Sequence, residues 1–132
     1  MSAKPETTFI ASVHKLLPKN IYRMKNNNAY TGGIPDVWYS GMYGDLWVEY
    51  KYIPKLPVRV PIDPMKLLSA LQQAWLRDRK MEGRNVAVII GSPKGGVVFE
   101  NLEWEASLTT LKFNSLMQSK QTLADWITSK VG

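Results

Sequence analysis

The chain contains no cysteine and a single histidine, His14. The first absence excludes disulfides and thiolate metal sites. The second argues against a zinc centre or a histidine-based catalytic triad. Metal chemistry here must therefore run through oxygen ligands, which suits magnesium or manganese. Long apolar runs are missing too: none approaches the ~18–20 residues that cross a bilayer, and the first residues lack a signal-peptide pattern. The expectation is a soluble intracellular protein with no membrane partner. There is no internal repeat and no low-complexity tract. Ser92-Pro93-Lys94-Gly95-Gly96 has glycines and a lysine but not the spacing of a phosphate-cradling loop, so nucleotide binding is rejected there. Acidic residues are in deficit, 11 against 17 Lys and Arg, for a net charge of +6. That balance raises the prior for a polyanionic partner without naming one, since ribosomal, membrane-surface and nucleic-acid proteins share it.

What is present argues for a packed core. A chain of 132 residues with 45% hydrophobic and 11% aromatic content fits one domain over residues 1–132, large enough to need no staples. Residues 5–17 read as an amphipathic helix with Pro5 in its first turn. Phe9, Ile10, Val13, Leu16 and Leu17 share one face, Glu6 falls on it as well, and His14 lies at its edge as a surface or boundary residue. Ile21 and Tyr22 suggest a short strand within a basic, asparagine-containing stretch, Lys19–Asn28. Pro54, Pro57 and Pro61 mark residues 53–63 as an extended connector. From Pro64 to about Glu82 a second helix is punctuated by Asp63 as N-cap, Pro64 at N1 and Gly83 past its end. Its apolar stripe is Met65, Leu68, Leu71, Trp75 and Leu76, with Lys66, Gln73, Arg77 and Lys80 opposite. Arg79 falls on the inner side, within reach of the site described next or of a neighbouring carboxylate. Val86–Ile90 reads as a buried strand and Val97–Phe99 as another. Thr122–Val131 reads as a terminal helix with Thr122 and Asp125 at capping spacing. Whether it packs on the core or on a second subunit is open at this level.

The chemistry concentrates between Gly32 and Ile53. Two runs rich in aromatic and β-branched residues flank the turn Gly41-Met42-Tyr43-Gly44, which reads as a β-hairpin. If Ser40 pairs with Asp45, Asp36 falls opposite Glu49 on one face of the ribbon. Such Cβ atoms lie roughly 4.5–5.5 Å apart, where like charges repel. Two carboxylates there make sense if a divalent cation bridges them. Lys51, two residues on, turns to the same face. Gln72 projects into the apolar stripe of the second helix, and a buried amide needs a specific partner.

Pro35-Asp36 with Glu49-Tyr50-Lys51 resembles the motif of the PD-(D/E)xK nuclease superfamily. The fuller string Gly33-Ile34-Pro35-Asp36, followed by Leu71-Gln72-Gln73-Ala74-Trp75-Leu76, is similar to its VRR-NUC branch, which includes standalone phage and bacterial proteins like Holliday-junction resolvases. The resemblance spans residues 6–100 or so and leaves 101–132 as a helical appendage. It implies an α/β, restriction-endonuclease-like core (α-β-β-β-α-β-β), a mixed sheet flanked by helices, with a C-terminal helix added. It implies a Mg²⁺-dependent endodeoxyribonuclease, Mn²⁺ substituting, that acts on branched DNA as a homodimer in the cytoplasm of a bacterial or phage-infected cell. Asp36, Glu49 and the Tyr50 backbone carbonyl would be the metal ligands, and Lys51 the cation that orients or deprotonates the attacking water. Gln72, three residues before the tryptophan, takes the family's glutamine position. Glu6 matches a glutamate of the family's first helix, where it would bind a second metal or hold a water. It also reads as an ordinary first-turn carboxylate favoured by the helix dipole. Lys51 likewise reads as a structural neutraliser of the acid pair.

Lys19, Arg23, Lys25, Lys55, Arg59, Lys66 and Arg77 are candidate phosphate contacts. For the first three a solvated loop is the alternative. Rival functions are a flap, nicking or restriction-type endonuclease on the same core, a basic nucleic-acid-binding module without catalysis, and a structural or assembly protein on a nuclease-derived fold.

Overall fold

The computed structural model describes residues 4–26 and 32–132. Asn27 and Asn28 of the basic stretch lie outside them. A five-stranded sheet runs in the order β1 (Tyr22–Lys25), β2 (Val37–Gly41), β3 (Gly44–Tyr52), β4 (Val86–Ser92), β5 (Gly95–Phe99). All neighbours are antiparallel except β3 and β4. That parallel pair needs a crossover, which α2 (Pro64–Leu67) and α3 (Ala70–Met81) supply. α1 (Pro5–His14) precedes the sheet; α4 (Thr110–Leu116) and α5 (Lys120–Val131) follow it. The result is the expected mixed sheet with helices on both faces and a C-terminal helix.

Each face buries its own core. On one, Phe9, Ile10 and Val13 of α1 and Leu123, Ile127 and Val131 of α5 cover Val37, Tyr39, Leu46, Val48 and Tyr50. On the other, Leu76 of α3 and Phe113 of α4, with Trp104, pack on Val86, Val88, Ile90 and Phe99. β4 is buried along its whole length because it lies inside both. The C-terminal helix thus packs on the chain's own core. Its last turn also latches the hairpin: Tyr43 donates its N–H to the Val131 carbonyl at 2.9 Å, and a side chain on Gly41 would collide with that carbonyl.

Several elements differ from their sequence expectation. α1 ends at His14 rather than residue 17. Leu16 and Leu17 donate to Val13 and His14 in i→i−3 bonds, the tightened turn expected where Pro18 forbids continuation. Leu17 stays buried but Leu16 is 40% exposed. The single helix 64–82 is two helices, broken at Leu68–Ser69. Ser69 forms a capping box with Gln72, and a box that satisfies two orphan amides defines a fresh helix start. Leu71 is consequently 63% exposed instead of lining a stripe. Gln73 does not reach the outer basic face; its amide donates to the Met65 and Leu68 carbonyls at 2.8 and 3.1 Å, closing the end of α2. Ser119, not Thr122, caps α5. β1 and the β4–β5 hairpin are longer than their hydrophobic runs, because ladder pairing continues through Arg23 and Lys25 and through Gly91–Gly96.

Candidate metal-binding and catalytic site

The β2–β3 register pairs Ser40 with Asp45 and Val37 with Val48. Tyr39 and Val48 are buried on the α1/α5 face, so the alternating residues Asp36, Trp38, Trp47, Glu49 and Lys51 share the α3 face. The regular ladder stops at Val37, and Asp36 continues it through its side chain. Its Oδ2 accepts the Tyr50 N–H at 2.9 Å, and its own N–H donates to Glu49 Oε1 at 3.2 Å. Each acid therefore holds the other's strand. The Tyr50 carbonyl leaves the same edge of β3 as its N–H, just past the end of the ladder.

Glu49 is 2% exposed. Its Oε2 accepts from Gln72 Nε2 at 2.9 Å and lies 3.3 Å from Lys51 Nζ. Gln72 is fixed in turn, since its Oε1 accepts the Ser69 N–H at 2.9 Å while its own N–H donates to Ser69 Oγ at 3.1 Å. A single capping box thus both starts α3 and aims an amide at the buried carboxylate. Ahead of Asp36, the loop runs against α3: Gly33 has φ +91°, and a Cβ there would come within 2.6 Å of the Leu71 carbonyl oxygen. Only glycine suits that conformation and that approach. Nothing in the local sequence around Gly32 and Gly33 signals this role, because the neighbour that requires it is Leu71.

Burial is the largest influence on both acids. It pushes Glu49 up to about 8, helped by the charge of Asp36 and partly offset by Lys51. Burial also raises Asp36, against the Tyr50 N–H and the Lys51 charge. Glu6 is raised as well, by burial first and then by Asp36, with Lys51 and Lys25 opposing. Glu6 thus acts on the acid pair through its field. Among the described residues no group of three acids or histidines is close enough to enclose an ion. The donor chemistry fits a hard divalent cation nonetheless: all-oxygen ligands, two acids side by side, and a carboxyl whose pKa burial raises in the absence of a cation. Asp36, Glu49 and the Tyr50 carbonyl are the groups that would hold it.

The basic candidates scatter. Lys25, on edge strand β1, is exposed and its charge reaches Glu6 and Asp36. Lys19, Lys55, Arg59 and Lys66 are exposed. Arg23 is committed to the end of α1, donating to the His14 carbonyl at 2.6 Å. Arg77 pairs with Glu105 at 2.5 Å. Arg79 lies over Trp75 and pairs with Glu82, away from the acids. His14 is half-buried and hydrogen-bonded to the Tyr39 hydroxyl at 2.7 Å.

No family model matches the chain, and no curated protein does. Among solved structures it is similar to Hjc, a Holliday junction resolvase from the archaeal hyperthermophile Archaeoglobus fulgidus, at TM-score 0.57 and 16% identity, covering 90% of this chain and 99% of that one. The fold is restriction-endonuclease-like, a mixed five-stranded sheet flanked by helices.

Proposed function

We propose that this protein is a metal-dependent endonuclease that cuts branched DNA, a member of the VRR-NUC branch. The observation that carries the reading is the Asp36–Glu49–Lys51 constellation with Gln72 clamping Glu49. A purely structural role gives no reason to set a half-buried acid beside a buried one. A divalent cation, Mg²⁺ or Mn²⁺, would lower the pKa of a bound water and draw charge off the phosphate. The chain's own contribution is positioning. Asp36 and Glu49 hold each other's strands, so neither carboxylate can swing away. Lys51, with its ammonium against Glu49 Oε2, stands ready to orient the attacking water and to steady developing negative charge. Gln72 fixes the Glu49 rotamer, and Glu6 adds negative field that favours a cation or a held water. Lys25 and the exposed cations of the connector would meet phosphates, with an affinity that falls steeply as salt rises.

A four-way junction has two-fold symmetry, so matched nicks call for a symmetric pair of sites, and a homodimer follows from that substrate. The likeness to a protein described as a Holliday junction resolvase supports the branched-substrate reading. The test is incubation of labelled four-way junctions, flaps, nicked and linear duplexes with and without Mg²⁺ or Mn²⁺. Cleavage restricted to branched DNA in the presence of metal is expected. Binding without any cleavage, unchanged by Asp36→Ala or Lys51→Ala, would favour the non-catalytic binding module instead.

A further inference from the structure

Beside the acid pair, the open part of the sheet carries an aromatic track that the proposed cleavage chemistry does not use. Trp38 stacks on Trp47 at 5.9 Å and 26°, and Trp47 meets Trp75 edge-on at 5.5 Å. The Arg79 guanidinium lies 5.5 Å from the Trp75 ring centroid. Trp47, Trp75 and Arg79, with Asp45, Glu82 and Arg84, line a cavity of about 370 Å³. Trp47 stands two residues before Glu49 on the same strand face, so its place on β3 is one strand repeat, roughly 6.6–6.8 Å, from that of the acid.

The composition of the cavity selects its occupant. Two arginines face two acids, so a phosphate finds no net attraction. A flat, neutral group with donor and acceptor edges finds both kinds of partner and a π surface. Arg79 is secured by one carboxylate, that of half-exposed Glu82 at 3.0 Å, and its buried Nε–H has no acceptor among the described residues. We propose that the Trp47–Trp75–Arg79 cavity receives one unpaired nucleobase of the DNA, splayed from the strand being held at Asp36 and Glu49. This deepens the nuclease reading and rests on it for the identity of the polymer. It makes loss of stacking at a branch point, rather than the sequence there, the feature that is recognised.

The test is a binding cycle in EDTA, where nothing is cut. A labelled four-way junction is prepared with one abasic residue moved stepwise through the branch point. Wild-type protein is expected to lose about tenfold in affinity at one position, the usual worth of a base–aromatic stack. Trp75→Leu should lose the same factor on the intact junction and be indifferent to the abasic residue, while Trp75→Phe keeps the sensitivity. If Trp75→Leu does not fold, Arg79→Met takes its place in the cycle. Equal affinity for every abasic junction, or additive losses in the cycle, overturns the proposal. So does a change in sedimentation mass of the variant without base dependence, which would make the cavity a contact between copies. Cleavage with Mg²⁺ is scored separately: cutting without coupling sinks the cavity alone, and coupling without cutting sinks the nuclease reading alone. Absence of binding to any DNA sinks both.

Discussion

On the face of the sheet beneath α1 and α5, the buried hydroxyls of Tyr39 and Tyr50 meet at 2.5 Å, and His14 caps the pair. The rest is aliphatic and aromatic packing, with Val13, Ile127 and Val131 fully buried. The opposite face is only partly roofed. It carries two adjacent acids, a half-exposed tryptophan track, and the indole N–H of both Trp38 and Trp104 buried without an acceptor among the described residues. Unsatisfied buried polar groups cost stability, and both of these indoles lie on the second face. One side is closed by packing, and the proposed chemistry gathers on the other. That division can be broken experimentally.

The sharpest cut is through Lys51. Lys51→Met is expected to lower the cleavage rate by on the order of 10²–10³-fold, with junction binding nearly intact, in single-turnover assays beside gel-shift titrations. Loss of binding in parallel with rate would instead place Lys51 among the phosphate contacts. On the closed face Ile127→Ala should cost about 2–5 kcal/mol in urea unfolding, while the folded fraction cuts at its normal rate. A change in rate per folded molecule would show that the faces are not separable. Next in size, Gln72→Ala should weaken metal affinity by about 10–100-fold, as loss of an outer partner of a ligand does. Calorimetric Mn²⁺ titration reads this directly, and Gln73→Ala should move thermal stability more than metal affinity.

The smallest effects are in pH, and the two faces should pull in opposite directions. Glu49 has its folded pKa raised from 4.5 to about 8, so without metal the folded state binds the extra proton. Its contribution is complete below 4.5 and is lost as pH rises through about 8. His14, lowered from 6.5 to about 4 by burial and then by Arg23, is neutral when folded. Its contribution is complete above 6.5 and is lost as pH falls toward 4. Melting temperatures in chelator should therefore fall with rising pH above 6.5, and Glu49→Gln should flatten that limb while His14→Gln leaves it. Added Mn²⁺ should lift the alkaline limb in wild type alone. A limb that survives Glu49→Gln assigns it to another group.

Much of this was legible in the residues because a strand's period of two is unforgiving. Once Ser40 was set against Asp45, the facing of Asp36, Glu49 and Lys51 followed without further freedom. The choice of Gln72 over Gln73 was legible for the same kind of reason, since one projects toward the sheet. Helical signals were less binding. Ser69 sits in a stretch whose apolar spacing continues across it, so the break that sets Gln72's angle was hidden until its cap geometry appeared. α4 has too short an apolar pattern to stand out. α5 displayed a clear apolar side, but amphipathicity names no partner, and only the fold shows it covering β2 and β3. Gly33 is needed because of Leu71, a residue far along the chain, and no local pattern carries that information.

Gln72 has one practical consequence. Because its carbonyl oxygen belongs to a helix start and its amide nitrogen to an acid on another strand, neither can be rebuilt alone. Anyone grafting these acids onto a different scaffold must carry the Ser69–Gln72 turn along with the hairpin, at the same height above the strands. A graft of the hairpin by itself would inherit the right side chains and a glutamate whose Oε2 has lost its amide donor.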